Sequence, residues 1–299
     1  MSDIVERIST AEEWAKNYKD KLIDFILRHE RIAVTYTGLS IIASKIFSYT
    51  LRTLNPSLNI IEACIDTLTY HIVPYIEDLG IIAFVEKGTE NSLIRLLDST
   101  YYTGNKVLLI TPPLVRMIRN RVRGQELIEV NLNDVLLSEI ILASVTGYEI
   151  ARKKIRKDDK ALRLNRLKIE VHDYSSIVDE LISSYRVQLN ELKDLLDKVK
   201  IIGYTPTMEP VAYYMQNIVL EKTRKLIPTI ELTRTLSLVE DKKIRDGVMV
   251  MFSTTVEEYS IRELLFKSMP SKIRIMDLKI KTDPLTAPVY GIILLASMD

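Results

Sequence analysis

Short, continuous apolar runs alternate with helical spacings of apolar residues along the first half of the chain. The runs cover 32–36, 59–63, 81–85, 107–111 and 127–130, and the helical patterns cover 11–28, 41–54, 90–102 and 134–154. A strand buried on both faces of a parallel sheet has this continuous apolar character, because neither of its faces meets water. The first half is therefore predicted to form an α/β unit, with helices on both faces of a parallel sheet.

The second half repeats this order of elements. A helical pattern over 176–198 leads into KIIGYT, as the first helix leads into RIAVTYT, and placing Tyr204 on Tyr36 gives a shift of 204 − 36 = 168 residues. With small slips, GVMVMFSTTVEEYSIREL then matches GIIAFVEKGTENSLIRLL, and KIRIMD matches KVLLIT. A repeated order of elements at a nearly fixed shift indicates two copies of one structural unit.

A charged segment, RKKIRKDDKALRLNRLKIEVH, separates the two halves. Its acids and bases alternate and its leucines recur regularly, which favours a solvated helical linker over a basic arm that binds nucleic acid. The predicted organisation is a first domain at 1–156 with an N-terminal helix, a charged helical linker at 157–172 and a second domain at 173–299.

The loops at the carboxyl ends of the strands contain the candidate site, because ligands of open parallel sheets bind there. In TYTGLS, Gly38 allows a ligand to approach the backbone closely. Thr37 and Ser40 place hydroxyl groups beside a helix start, where anions bind favourably. This loop is predicted to bind an anion.

A second loop, FVEKGTEN, carries charges of both signs around a glycine. Gly88 follows a strand, and a turn there directs backbone N–H groups toward a ligand, with Thr89 beside it. Lys87 favours an anion, whereas Glu86 and Glu90 repel one. Two interpretations stay open: Lys87 binds a phosphate by direct charge, or it pairs with one of these glutamates at the surface, which we favour.

Four segments carry a resemblance to a known family. YTGLS is similar to the first loop of SIS (sugar isomerase) domains, G-x-G-x-S, and VEKGTE lies on their second loop, S-x-S-G-x-T. VAYYMQNIVLEKTRKLIPTIEL, at 211–232, and DPLTAP, at 283–288, resemble segments of the bifunctional phosphoglucose/phosphomannose isomerases. The resemblance covers nearly the whole chain. It implies an α/β protein of two SIS-type domains, each a parallel β-sheet flanked by helices, in a homodimer with sites near the subunit interface.

The resemblance also implies a reaction, the aldose–ketose isomerisation of a sugar phosphate. In that reaction a carboxylate moves a proton between C1 and C2 and a histidine helps to open the ring. The family holds the phosphate with the hydroxyl groups of the second loop. In this chain Val85 and Lys87 stand at the two loop serines, Gly88 is kept, and Glu90 replaces the threonine. The phosphate loop is therefore expected to have lost its hydroxyl donors.

The catalytic groups of the family match this chain poorly. The family's glutamate falls on or near Thr235, and no histidine follows His172. Asp66 holds the place in the first half that Thr235 holds in the second, and His71 lies just beyond it. Asp66 and His71 are therefore the candidate catalytic residues, Asp66 as a displaced base. The alternative, which we favour, is that Asp66 caps the helix that follows it.

Other polar residues have two interpretations each. Glu62 and Glu231 lie at matching strand positions, either as tuned bases or, as we favour, as outward-facing strand ends. Ser253 and Thr254 either receive an anion or cap the helix predicted over 256–269. RMIRNRVRG either binds an acidic ligand or forms a solvated helix face. The predicted substrate-binding residues are Thr37, Gly38, Ser40, Lys87, Gly88, Thr89, Thr235, Ser253 and Thr254.

The amino-acid composition limits the classes of partner and the cellular location that are expected. Lys+Arg 41 against Asp+Glu 40 leaves a net charge of +1, so no overall field attracts nucleic acid or an anionic membrane. The longest apolar stretches are too short to cross a bilayer and the N-terminus lacks a targeting pattern, so a cytoplasmic protein is expected. Scarce glutamine beside abundant isoleucine, lysine and glutamate favours a thermophilic source.

Metal and cofactor chemistry finds little support. Cys64 is the only cysteine, which excludes an internal disulfide and a cysteine-built zinc site, and the three histidines lie far apart. We therefore expect no metal and no cofactor. Cys64 lies beside an isoleucine-rich strand and is predicted to be a buried, inert thiol.

The sequence thus predicts a sugar-phosphate-binding protein of the phosphoglucose/phosphomannose isomerase type, with a small-molecule sugar phosphate as its partner. The alternative is a non-catalytic SIS-domain sensor, regulator or assembly subunit. A different reaction on the same scaffold, such as that of an amino-sugar phosphate deaminase, is a third hypothesis.

Overall fold

The computed structural model describes residues 2–122, 124–154, 161–171, 173–244 and 246–298. They divide into two compact units, Ser2–Ser176 and Ile177–Asp299. Within the predicted linker, 157–160 and His172 lie outside the described residues, and 161–171 forms a helix that belongs to the first unit. The domain boundaries at 156 and 172 stay a prediction.

The first unit is built on a five-stranded parallel sheet with the strand order β2-β1-β3-β4-β5. Its strands are β1 (Arg31–Tyr36), β2 (Asn59–Cys64), β3 (Leu79–Phe84), β4 (Lys106–Thr111) and β5 (Glu126–Glu129). Its helices are α1 (Ser2–Leu27), α2 (Ile41–Leu54), α3 (Ile65–Thr67), α4 (Leu93–Thr103), α5 (Arg116–Arg119), α6 (Val135–Lys154) and α7 (Ala161–Val171). Each predicted strand is present within two residues of its predicted ends, which confirms the parallel α/β architecture.

Helices cover both faces of this sheet. On one face, α4 and α5 pack their apolar residues against β3 and β4, in a cluster that includes Ile81, Leu96 and Ile118. On the other face, the ring of Phe47 in α2 meets the ring of Phe84 in β3 edge to face, with centroids 5.9 Å apart. All six residues of β3 are buried, because this central strand is covered on both sides. Continuous apolar runs are the expected sequence of such strands.

The N-terminal helix is longer than its predicted range of 11–28. It begins at Ser2 because Ile4, Ile8, Ala11 and Ala15 continue one buried face at helical spacing.

The second unit contains a four-stranded parallel sheet with the order β7-β6-β8-β9. Its elements are α8 (Tyr174–Leu195, starting in the first unit), β6 (Val199–Tyr204), α9 (Glu209–Thr223), β7 (Thr229–Glu231), α10 (Leu232–Glu240), β8 (Asp246–Thr254), α11 (Glu258–Ser268), β9 (Lys272–Ile280) and α12 (Ala287–Ala296). Met249 and Met251 of β8 pack against α10 and α11. All ten residues of α12 are buried. No helix in the described part of the chain is long and apolar enough to cross a membrane.

The first four strands of each sheet follow the same order. Each sheet therefore has a switch point at the same place in that order. In the first, the chain passes from β1 outward to β2 and then returns to β3 on the other side of β1. In the second, β6, β7 and β8 follow the same path. Crevices for ligands open at such points, beyond the carboxyl ends of the strands. The loops after β1 and β3, and those after β6 and β8, are thus the ones placed to form sites.

Candidate functional site

Thr37 joins the two predicted loops of the first unit. Its backbone N–H donates to the carbonyl oxygen of Phe84 (3.0 Å), which continues the pairing of β1 with β3. Its side-chain Oγ1 accepts the backbone N–H of Glu86 (2.9 Å) and lies 2.6 Å from Oγ1 of Thr89. The predicted residues Thr37 and Thr89 are therefore brought together, but their hydroxyl groups are bonded to each other.

The close approach predicted at Gly38 is made by a side chain of the protein itself. Oε2 of Glu86 accepts the backbone N–H of Leu39 (3.0 Å), at the start of the helical segment that continues as α2. Gly38 has a φ of +48°, and a Cβ on it would collide with the Glu86 carboxylate. The positive end of a helix favours an anion, and here the anion is a glutamate.

Ser40 is bonded to a buried acid that the sequence analysis missed. Its hydroxyl donates to Oε2 of Glu139 in α6 (2.6 Å), and the N–H of Val85 donates to Oε1 of the same carboxyl group (3.2 Å). Glu139 is fully buried, and burial raises its pKa well above the ordinary value. The Glu86 carboxylate raises that pKa further, against the lowering effect of the Ser40 hydrogen bond. A lone acid in the apolar stretch LLSEIILASV was the available signal.

In the glycine turn of the second loop, a backbone N–H is bonded to an acid of the same loop. Gly88, with a φ of +91°, donates its N–H to Oε1 of Glu90 (3.0 Å). Lys87 is exposed, and in the part of the chain that the structure describes it forms no ion pair with Glu86 or Glu90. The favoured pairing of Lys87 is not formed in this conformation and stays a prediction.

The candidate catalytic residues of the first unit lie at the surface. Asp66 and His71 are both exposed. The N-cap of α3 is Cys64 and Asp66 lies inside the helix, so the interpretation of Asp66 as a cap is wrong. Cys64 is partly exposed rather than buried, and a hydrogen bond with Thr67 (3.1 Å) lowers its pKa.

Glu62 and Glu231 differ in their surroundings. The carboxylate of Glu62 lies 3.5 Å from the charged groups of both Lys45 and Arg52 and is 8% exposed. Its charge is therefore balanced by two cations. Glu231 is exposed at the residue before α10. It agrees with the favoured interpretation of an outward-facing strand end.

In the second unit, one glutamate accepts hydrogen bonds from donors in both loops. The hydroxyl of Thr207 donates to Oε1 of Glu257 (2.7 Å). The N–H and the hydroxyl of Thr254 both donate to its Oε2, at 2.9 and 2.7 Å. Thr254 and Glu257 form a capping box on the helical turn Thr255–Glu257, as the capping interpretation predicts.

The other predicted residues of the second unit are bonded within the protein. Ser253 donates to Oδ1 of Asp277 (2.6 Å), and burial raises the pKa of Asp277 although this hydrogen bond opposes the rise. Thr235 is fully buried, and its hydroxyl donates to the carbonyl oxygen of Glu231 (3.0 Å). Neither hydroxyl group is left for a ligand in this conformation.

The basic cluster RMIRNRVRG forms surface ion pairs. Arg119 pairs with Glu129. Nη1 of Arg121 donates to both carboxylate oxygens of Asp98, at 2.6 and 2.7 Å. Arg123 lies outside the described residues. Among the residues that are described, no group of three His, Cys, Asp or Glu side chains could hold a metal ion.

No protein-family model matches the chain, and no curated protein matches it. Solved structures do. A candidate phosphosugar isomerase from Clostridium difficile 630 has a TM-score of 0.75 at 13% identity, covering 98% of this chain and 90% of that one. The fold is of the SIS type. The C-terminal domain of glucosamine-fructose-6-phosphate aminotransferase from Francisella tularensis gives 0.67 at 11% identity, covering 99% and 94%. The tagatose-6-phosphate ketose/aldose isomerase of Escherichia coli gives 0.63 at 14% identity, covering 99% and 92%.

These identities are low, so the likeness concerns the fold. The predicted SIS-type α/β architecture is confirmed, while the narrower assignment to the phosphoglucose/phosphomannose isomerases stays a prediction.

Proposed function

We propose that this chain is a SIS-type binding protein that does not isomerise sugar phosphates, and that it acts as a sensor, regulator or assembly subunit. The observation that carries the proposal is the state of Thr235. The resemblance to the phosphoglucose/phosphomannose isomerases matches Thr235 with, or close to, the family's catalytic glutamate. Thr235 is fully buried and donates its hydroxyl to the carbonyl oxygen of Glu231.

Isomerisation needs a base between C1 and C2 of the sugar. A threonine hydroxyl bonded to a backbone carbonyl oxygen cannot accept that proton at neutral pH. In the first unit, the displaced-base hypothesis rests on Asp66 and His71, which are exposed residues. The acids that do lie at the loops, Glu86 and Glu139, are held by backbone N–H groups and by Ser40.

A second candidate function is the aldose–ketose isomerisation of a sugar phosphate by an enzyme of the phosphoglucose/phosphomannose isomerase type. The observation that favours it is the likeness of the fold to a tagatose-6-phosphate ketose/aldose isomerase over 99% of this chain. This candidate includes a homodimer with sites near the subunit interface. Light scattering tests the dimer separately from the chemistry.

The test is an isomerase assay with a panel of hexose and hexosamine phosphates, beside thermal-shift measurements with the same compounds and with the unphosphorylated sugars. We expect no turnover of any compound. Turnover that Asp66→Asn abolishes would overturn the non-catalytic proposal and support the second candidate.

A further inference from the structure

We propose that Glu86 and Glu257 are resident anions, which occupy the places where a ligand phosphate would bind and so exclude phosphate from both units. This inference rests on the proposed function, because it concerns the ligand class of the same site. It assigns to these two glutamates a role in specificity.

In the first unit, Glu86 takes the donor that a phosphate would need. The N–H of Leu39 lies in the short helical turn Gly38–Ser40 that leads into α2, and Oε2 of Glu86 accepts it at 3.0 Å. One N–H group cannot bind two anions at full strength, and a phosphate beside this carboxylate would meet like charge. Gly38 leaves room for the carboxylate, since a Cβ there would collide with it.

Other donors of the first site are also bonded within the protein, two of them to acids, while the hydroxyl groups of Thr37 and Thr89 are bonded to each other. The hydroxyl of Ser40 is held by Glu139 and the N–H of Gly88 by Glu90, whereas the N–H of Val85 is shared between Glu139 (3.2 Å) and the carbonyl oxygen of Ile110 (2.9 Å). An incoming phosphate would therefore find these N–H and hydroxyl groups already bonded within the protein. Lys87, the exposed cation of the loop, is the exception.

The second unit has a related arrangement with different donors. Thr207 holds the position of Leu39 at the shift of 168 residues (39 + 168 = 207), and it too donates to a carboxylate, that of Glu257. At the same shift, which the pairing of β1 with β3 and of β6 with β8 also gives, Glu257 matches Thr89 rather than Glu86 (257 − 168 = 89). The two acids therefore come from different positions of the loop. What the two units share is that the residue at one loop position, Leu39 or Thr207, donates a hydrogen bond to a glutamate.

The experiment removes one carboxylate at a time and titrates with inorganic phosphate. The variants are Glu86→Ala and Glu257→Ala, and the matched control is Glu77→Ala, which removes one negative charge from an exposed residue away from the loops. Binding is followed by calorimetry and by the thermal unfolding midpoint, with chloride used to keep the ionic strength constant.

We expect wild type and Glu77→Ala to show no saturable response, and each of the other variants to bind phosphate at least about tenfold more tightly than wild type. The inference is overturned if wild type binds phosphate as tightly as the variants, if the control gains the same affinity, or if neither variant gains any. Because the two variants lie in different units, Glu257→Ala still tests the inference if Glu86→Ala does not fold.

The outcomes for the two proposals are separate. Turnover of sugar phosphates by the wild type would overturn the non-catalytic function. Absence of turnover together with absence of any gain in phosphate binding by the variants would overturn only the role assigned to Glu86 and Glu257.

Discussion

In both units, the loops at the switch point contain hydrogen-bond donors that need an acceptor. The glutamate that accepts them is a different residue in each unit. In the first unit, Glu86 accepts a backbone N–H from the loop after β1. In the second, Glu257 accepts hydroxyl groups from Thr207 and Thr254 and the backbone N–H of Thr254. Buried or half-buried donors are costly to leave unpaired, so each loop needs an acceptor when no ligand is bound. A carboxylate from the neighbouring loop supplies it in both units.

A second pair of acids extends the comparison. Glu139 holds the hydroxyl of Ser40 in the first unit, and Asp277 holds the hydroxyl of Ser253 in the second. Burial raises both pKa values, and Glu139, on a helix behind the loop, has the greater rise. The stability of the first unit is thus expected to depend on the ionisation of its buried carboxyl group more than that of the second unit does.

The largest expected effect is that of Gly38→Ala. A positive φ costs a residue with a Cβ about 1 kcal/mol or more, and the new methyl group must also displace the Glu86 carboxylate. We expect a loss of about 2–3 kcal/mol in the free energy of unfolding, measured by urea denaturation. Gly88→Ala, where the φ is also positive but the space is open, should cost only about 1 kcal/mol.

A double variant separates the two costs at Gly38. Glu86→Ala removes the obstacle, so Gly38→Ala made in that background should cost about as much as Gly88→Ala does in wild type. An equal cost of Gly38→Ala in both backgrounds would mean that the carboxylate does not rest against Gly38.

The next effect is a dependence on pH that Glu139 causes. A carboxyl group whose pKa is raised by folding contributes stability that is fully present below its unfolded pKa and is lost as the pH rises through its folded pKa. Glu139→Gln is permanently neutral and avoids that loss. At pH 8 we expect this variant to be more stable than wild type by about 1 kcal/mol or more, and to be nearly equal to wild type at pH 4.

Asp277→Asn is the matched variant in the second unit. Its pKa is raised in the same direction by burial, so the sign of its effect is the same and its size is smaller. Denaturation curves collected between pH 4 and 8 give both slopes. Equal slopes in the two variants would remove the contrast between the units.

A third effect concerns the capping box of the second unit. Thr254→Val keeps the shape of the side chain and removes the hydroxyl that donates to Glu257. Loss of such a cap costs about 1 kcal/mol, which urea denaturation resolves. Thr255→Val, one residue further along at an exposed position, should change the stability by less than about 0.5 kcal/mol.

The fold was predictable from sequence in detail because its signal is local. A buried parallel strand must be apolar on both faces, so runs such as 81–85 mark strands by themselves, and α2 was predicted with both ends correct. The site was less predictable because its contacts join distant residues. Ser40 and Glu139 are 99 residues apart, and no local sequence pattern around either residue indicates its partner. Asp66 was misassigned since its helix begins two residues earlier than the cap rule suggested.

The smallest expected effects fall at Asp66 and Thr235, which the sequence comparison of the two halves matched with each other. Asp66 is exposed, whereas Thr235 is fully buried and bonded to the carbonyl oxygen of Glu231. Asp66→Asn should change the free energy of unfolding by less than about 0.5 kcal/mol, and Thr235→Val should lower it by about 0.5–1 kcal/mol. Urea denaturation measures both. A clearly larger effect at Asp66 than at Thr235 would mean that the aspartate has a partner or a ligand in solution, and would return it to consideration as the base of a sugar-phosphate isomerase.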